Sequence, residues 1–392
     1  MNATILPPDA ARRLVPELAA SRRPDVWVHR FVDAAHGWTL AVATHAAPGS
    51  GNLSLGGFRI APEARTSAPG FTPEREAIAL AMGMEEKVHW SRVIGVGGPL
   101  ARRDLSRIVG GKCVLAPTDA GRIGGPDDAA LLDFAIAGFE AIERASGIHL
   151  VTGQDLGHGT MHDGVTSSLA YLNARYRGSV VADTSGPTAE GNVQVLLGML
   201  RALGIAPAQA RVALIGCGNI GWHMVERLHP LGVTLVACEA RAARRAELEA
   251  RGIRAVAPEA QLALLREPLD AVVVNAAGGS LDGATVSAIL ANDGVRVICG
   301  SENLAMPEPA DADRLRAAGR SYCPTELGGM MGYLTAVEEY LAKAAGVPFE
   351  IATLVTAAAA LEPAAHAATA RQVAGGFAET FEQAVTAVSS DR

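Results

Sequence analysis

Val212-Ala213-Leu214-Ile215-Gly216-Cys217-Gly218-Asn219-Ile220-Gly221 decides the fold. Four apolar residues run straight into G-x-G-x-x-G, and a helix is predicted next, with Met224, Leu228 and Leu231 on its apolar side. In that strand–turn–helix setting the glycines have separate tasks. Gly216 permits the tight turn, Gly218 lets the backbone approach a pyrophosphate, and Gly221 lets helix and strand pack closely. Asn219 and Ile220 open the helix, whose free N–H groups and partial positive charge suit phosphate. Glu239 stands at the end of the next predicted strand, 21 residues beyond Gly218. A carboxylate there accepts from adenosine ribose hydroxyls and repels a 2′-phosphate, so NAD is favoured over NADP. Arg241, Arg244 and Arg245 weigh on the other side, because they could receive that phosphate. A glycine turn without a ligand is the competing reading, and its context argues against it.

Working outward, Thr234–Ala237, Ala271–Val274 and Val295–Ile298 repeat the apolar run, with helical patterns between. Such runs predict a parallel sheet buried on both faces. Upstream the pattern changes. Val26–Val32 and Trp38–Ala43 read as strands joined by the turn Asp33-Ala34-Ala35-His36-Gly37. Helices are predicted from Thr72 to about Met84 and from Asp127 to Ser146. The tail beyond residue 330 is Ala-rich and helical. The expectation is therefore an α/β fold of two domains. A mixed-sheet substrate domain, residues 1–175, is completed by C-terminal helices 336–392. A Rossmann-type domain, residues 176–335, binds NAD, and a cleft lies between the two.

The chain has 392 residues, 34 Lys and Arg against 41 Asp and Glu, and 49% hydrophobic residues. An acidic chain of this kind is a poor nucleic-acid binder. The composition suits a packed core and excludes general disorder. No secretory signal and no continuous apolar run of membrane-spanning length is read, so a cytoplasmic protein without a membrane partner is expected. Five cysteines, an odd number with no C-x-x-C spacing, indicate neither a disulfide framework nor a zinc site. His158 and His162 are spaced i, i+4, but no clear third ligand accompanies them, so no metal is expected. Cys113, next to Lys112, is either a reactive thiol or a core filler.

Four further segments carry chemistry-bearing residues. Gly56-Gly57-Phe58-Arg59 follows a strand and could bring backbone N–H groups near an anion. Gly83-Met84-Glu85-Glu86-Lys87 ends a predicted helix with a lysine. Gly110-Gly111-Lys112-Cys113-Val114-Leu115 sets a lysine between a glycine turn and a strand. Thr152-Gly153-Gln154-Asp155-Leu156-Gly157 sets an acid at a strand end.

Taken in order, with the dinucleotide turn and Gly300-Ser301-Glu302-Asn303 after them, these segments resemble the glutamate/leucine/phenylalanine/valine dehydrogenase family. The likeness is to its leucine and phenylalanine dehydrogenase branch, from about Val26 to about Tyr333. Each motif is weak alone; six in order are far more specific. The resemblance implies that Lys87 pairs with the substrate α-carboxylate and that Gly56 and Gly57 line that pocket. It implies that Lys112 polarises the 2-oxo group, that Asp155 moves protons to and from the amine, and that Asn303 lies on the nicotinamide side. The implied activity is NAD-dependent oxidative deamination of an L-amino acid to its 2-oxo acid and ammonia, and the reverse. Homo-oligomers, at least dimers, are implied too.

The chain departs from the pattern in places. Its two lysines lie 25 residues apart where about a dozen is usual, and Gly95-Val96-Gly97-Gly98-Pro99 imitates the glycine turn with proline in the lysine position. Lys112 is preferred because the strand expected next follows it. Glu326-Leu327-Gly328-Gly329 lacks the family's asparagine, and Gly186-Pro187-Thr188-Ala189 lacks further proline and threonine. Met330, Met331 and Leu334 favour an apolar or aromatic substrate side chain, or are core. Two alternatives stay open: an oxidoreductase of altered chemistry on this scaffold, and a catalytically silent NAD-binding regulatory protein.

Overall fold

The computed structural model describes residues 2–390. The chain forms two compact units. One comprises Met1–His89, Pro99–Asp183 and Tyr333–Phe349; the other comprises Trp90–Gly98, Thr184–Gly332 and Glu350–Arg392.

The first unit is built on a mixed sheet. Its strands are β1 (Asn2–Leu6), β2 (Trp27–Asp33), β3 (Trp38–Thr44), β4 (Leu53–Leu55), β5 (Phe58–Ile60), β6 (Ile108–Ala116) and β7 (His149–Val151). They lie in the order β1-β2-β3-β6-β4-β7, with β5 also on β6. The first three pairings are antiparallel; β4 and β5 run parallel to β6, and β7 parallel to β4. Side chains alternate across the pleat, and the alternation divides the core in two. Leu40, Val42, Cys113 and Leu115 join Leu131, Leu132, Phe139 and Ile142 of the helix Asp128–Ser146 on one face. Ala41, Ala43 and Val114 join Ala77, Ile78 and Ala81 of the helix Pro73–Ile94 on the other.

Two expectations shift here. The helix begun at Pro73 does not stop near Met84 but runs to Ile94, so Lys87 sits inside it. Glu85, Glu86 and Lys87 are good helix formers, and the helix ends at Gly95, which takes φ +74°. Gly110 and Gly111 are not a turn but the middle of β6.

The second unit holds β8 (Arg211–Ile215), β9 (Thr234–Cys238), β10 (Arg254–Val256), β11 (Ala271–Val274), β12 (Val297–Gly300) and β13 (Ser321–Tyr322). All are parallel, in the order β10-β9-β8-β11-β12-β13. The order reverses between β8 and β11, the place where doubly wound sheets bind ligands outside the strand ends.

The C-terminal helices Ile351–Ala358, Leu361–Ala374 and Phe381–Ser390 belong to this second unit, where the sequence reading grouped 336–392 with the first. Small residues explain the difference. A Cβ on Gly198 of the helix Ser185–Ala202 would lie 2.3 Å from the Glu362 carbonyl oxygen and 3.1 Å from Ala365 Cβ. The Ala-rich helix thus docks backbone to backbone on a glycine. Ile351–Ala374 is long and apolar enough by composition to cross a membrane, with a mean hydropathy of 1.3. It is nevertheless split into two helices, and Leu354, Ala358, Leu361, Ala364, Ala365 and Ala368 are buried in the protein. All five cysteines are free and buried.

Candidate active site

The mixed sheet positions the first group of residues through close backbone approaches. β4 pairs with the start of β6 and β5 with its end, so Gly56 and Gly57 step across Gly111 and Lys112. A Cβ on Gly56 would lie 1.9 Å from the Gly111 carbonyl oxygen, and one on Gly110 would lie 2.3 Å from the Glu85 amide nitrogen. No side chain fits at either place. The Gly110 N–H donates to Glu85 at 2.7 Å, which ties the long helix to the strand.

Lys112 therefore emerges beneath Gly57. Its Nζ would be 3.1 Å from a Cβ at Gly57, and the Asp155 carboxylate 3.2 Å. Lys112 and Asp155 form an ion pair, with 4% and 9% of their side chains exposed. Asp155 follows β7 and accepts from the Leu156 N–H at 2.6 Å and from Arg59 Nε at 3.2 Å, both at Oδ1. Arg59 is 5% exposed and donates from Nη1 to Glu76 at 2.7 Å; Arg65 closes on Glu76 at 2.9 Å. Burial alone would push the Asp155 carboxyl up, but the charges of Lys112 and Arg59 outweigh it and hold it well below the ordinary carboxylate range. Burial would likewise lower Arg59, and Asp155 and Glu76 reverse that. Arg59 and Glu76 are the residues sequence reasoning passed over. The signal was a charged residue between two buried positions, Phe58 and Ile60, which demands a buried partner.

Lys87 is also buried, at 6% exposure, on the helix Pro73–Ile94. Gly95–Pro99 joins no strand, and beyond it the N–H groups of Leu100 and Ala101 are capped by Glu338 at 2.9 and 2.7 Å. His158 and His162 do not converge on a metal. The two nitrogens of His158 meet the Phe58 carbonyl at 2.7 Å and Ser168 at 3.0 Å; His162 meets the Gly124 carbonyl. Among the described residues no group of three or more His, Cys, Asp or Glu could hold a metal ion. Burial pushes the Cys113 thiol up to about 12, which makes it a core filler rather than a nucleophile.

In the second unit, Gly216 takes φ +88°, and a Cβ there would lie 2.7 Å from the Ala276 amide nitrogen. Gly221 lets its helix approach the turn, since a Cβ would lie 2.4 Å from the Gly216 carbonyl oxygen. Gly218 caps the helix Asn219–Leu228 without a side-chain hydrogen bond, and a Cβ on it would meet nothing closer than Arg241 Nη2 at 4.0 Å. Open space in front of exposed helix amides fits a dinucleotide pyrophosphate. Glu239 accepts from the Cys217 N–H at 2.8 Å and the Arg241 N–H at 2.9 Å, and from Arg241 Nε at 3.1 Å. Burial pushes its carboxyl up; the Arg241 and Cys217 hydrogen bonds prevail and hold it below its ordinary value. Arg244 pairs with Glu247 at 2.8 Å and stacks on Trp222; Arg245 donates to the carbonyls of Glu239 and Ala240.

Asn303 follows β12 and is half-buried. Beside it, Glu302 accepts from the N–H groups of Ala276 and Ser280 at 2.9 and 2.8 Å, and Asn275 accepts from Ser301. The loops that follow β11 and β12 are thus tied together. Leu304 holds φ +54°, a conformation that strains a non-glycine residue. Met330, Met331 and Leu334 have no exposed surface and are core residues here, Met331 packing beside Gly191.

No family model and no curated protein sequence matches the chain. Solved structures do. L-tryptophan dehydrogenase from Nostoc punctiforme is 17% identical with a TM-score of 0.61, over 91% of this chain and 92% of that one. Hetero-hexameric glutamate dehydrogenase from Thermus thermophilus, in a Leu-bound form, is 16% identical with a TM-score of 0.63, over 91% and 83%. Plasmodium falciparum glutamate dehydrogenase is 13% identical with a TM-score of 0.63, over 98% and 85%. At such identities the likeness is one of fold, and the mixed and parallel sheets described above are shared with two-domain amino acid dehydrogenases across most of the chain.

Proposed function

We propose that the protein is an NAD-dependent dehydrogenase of an apolar or aromatic, possibly non-standard, L-amino acid. The observation that carries this reading is the buried Lys112–Asp155 pair beneath Gly57, in a chain that also builds a dinucleotide turn at Gly216–Gly221. A bound nicotinamide would supply the hydride acceptor for oxidation at the substrate Cα, by which amino acid and water become 2-oxo acid and ammonia. The protein's own residues do the rest. Lys87 pairs with the α-carboxylate, and the small surface of Gly56 and Gly57 admits the substrate to Lys112. Lys112 polarises the carbon–nitrogen or carbon–oxygen double bond for attack or departure of water. Asp155 takes and returns the proton of the amine. Asn303 contacts the nicotinamide side.

Glu239 takes three donors from the protein, while a carboxylate has about four acceptor positions. One remains for a ribose hydroxyl, and its charge disfavours a 2′-phosphate. Arg241, Arg244 and Arg245 are each committed to protein acceptors, which supports NAD. The apolar or aromatic class is supported by the tryptophan named with one structural neighbour, while the Thermus thermophilus neighbour is a glutamate dehydrogenase in a Leu-bound form. Homo-oligomers belong to the same reading and are checked by light scattering.

The test is NADH oxidation with ammonia against a panel of aliphatic and aromatic 2-oxo acids, with Lys112→Ala beside the wild type. Ammonia-dependent turnover lost in the variant is expected. NADH binding without turnover on any 2-oxo acid would overturn the reading in favour of altered chemistry or a silent binder.

A further inference from the structure

Asp155 is held from two sides by different cations. Lys112, from β6, meets Oδ2; Arg59, from β5, meets Oδ1, where the Leu156 N–H also donates. Behind Arg59 lies Glu76 of the helix Pro73–Ile94, itself held by Arg65. His158 is a further titratable neighbour; burial lowers it, and its ring is engaged by the Phe58 carbonyl and Ser168. The chain is continuous and alternates in sign: Lys112, Asp155, Arg59, Glu76, Arg65. A buried arginine needs one carboxylate to compensate its charge, and Arg59 has two. Glu76, shared with Arg65, takes Nη1 of Arg59, and Nε is left for Asp155, so the second contact both compensates the Arg59 charge and fixes Oδ1.

We propose that Arg59 is a positioning residue for the proton transfer assigned to Asp155. It occupies Oδ1, so that Oδ2, the oxygen on Lys112, alone exchanges protons with the substrate nitrogen. The step is a simple transfer: a nitrogen-bound proton passes to Oδ2, the nitrogen keeps the electron pair, and the same oxygen returns the proton when ammonia leaves. The proposal rests on the dehydrogenase reading for the identity of the nitrogen. The clamp itself is a property of the protein's own side chains.

The experiment therefore has two readouts. The first is the ¹³C titration of the Asp155 carboxyl, assigned by its loss in Asp155→Asn and followed in wild type, Arg59→Met and Arg59→Lys. Removing the Arg59 charge should raise the Asp155 midpoint by roughly one pH unit or more. Lysine keeps the charge and should hold the midpoint near wild type. The second is the pH profile of kcat and kcat/KM in the same proteins. In Arg59→Met the acid limb should move up with the midpoint and kcat should fall at least tenfold, with KM for the 2-oxo acid within a few-fold. In Arg59→Lys the limb should stay, with kcat reduced, because one ammonium replaces a fork that reached two carboxylates. A purely structural role would lower Tm and leave both midpoint and profile in place, and that result overturns the proposal. If Arg59→Met does not fold, a raised midpoint in Arg59→Lys overturns it equally. Absence of turnover in the wild type would sink the dehydrogenase reading alone, since the carboxyl titration still decides the clamp.

Discussion

Lys112 and Gly57 leave little space between them: a Cβ on Gly57 would lie 3.1 Å from Lys112 Nζ. Lys112→Ala should reduce turnover at least a thousandfold while leaving NADH affinity within a few-fold, read by single-turnover kinetics and fluorescence titration. Gly57→Ala places its methyl about 3.1 Å from Lys112 Nζ and 3.2 Å from Asp155 Cβ and Oδ2, side-chain atoms that need give only a few tenths of an ångström. Gly56→Ala puts the same methyl 1.9 Å from a backbone carbonyl, which cannot give way. The first should therefore lose activity and keep most of its Tm; the second should lose several degrees or fail to fold. Equal melting temperatures for the two would contradict the packing argument. In the other unit, Glu239→Ala should weaken NAD more than NADP, measured by the ratio of their dissociation constants. That variant also strips an acceptor from the Cys217 and Arg241 amides, so both affinities should fall.

Elements were legible in the sequence where one physical signal dominated. β8, β9 and β11 are short apolar runs between helical patterns, and they lie within a residue of where periodicity puts them. β10 and β13 carry no such run; each pairs a few residues at a sheet edge, and only the neighbouring strand makes them strands. Glycine misled at Gly110-Gly111. Read locally it is a turn; in the sheet it is where the Glu85 backbone and the Ser54 hydroxyl come close to β6. Lys87, Lys112 and Asp155 were singled out through the order of motifs, and the structure shows them buried, with Lys112 and Asp155 paired, whereas the Arg59–Glu76 pair needed the fold, because 17 residues separate its ends on a strand and a helix. The docking of the Ala-rich helix is testable at this scale. Gly198→Ala would push Glu362 and Ala365 away and should lower Tm by several degrees, with NADH affinity unchanged.

For the molecule as a whole, buried histidines set the response to acid. Burial lowers His29 from its ordinary 6.5 to about 4 and also lowers His45 and His158; all three belong to the mixed-sheet unit. A group that resists protonation when folded but accepts it when unfolded costs stability as pH falls through its unfolded pKa. His29 alone should therefore cost about 3 kcal/mol between pH 6.5 and 4, with no further loss from this residue below that. Melting curves over that range should show the fall, and His29→Leu should flatten it. An unchanged slope in the variant would remove His29 as the cause. Finally, the five buried thiols have a use as clocks. Burial raises Cys113, Cys217 and Cys299 to about 12 and Cys238 to about 11, so a maleimide can label them only when the surrounding structure opens. Cys113 belongs to one unit and the other four, Cys323 included, to the second. The alkylation rate of each cysteine-bearing peptide, timed by mass spectrometry on the unmodified protein, would give the opening frequency of each unit separately.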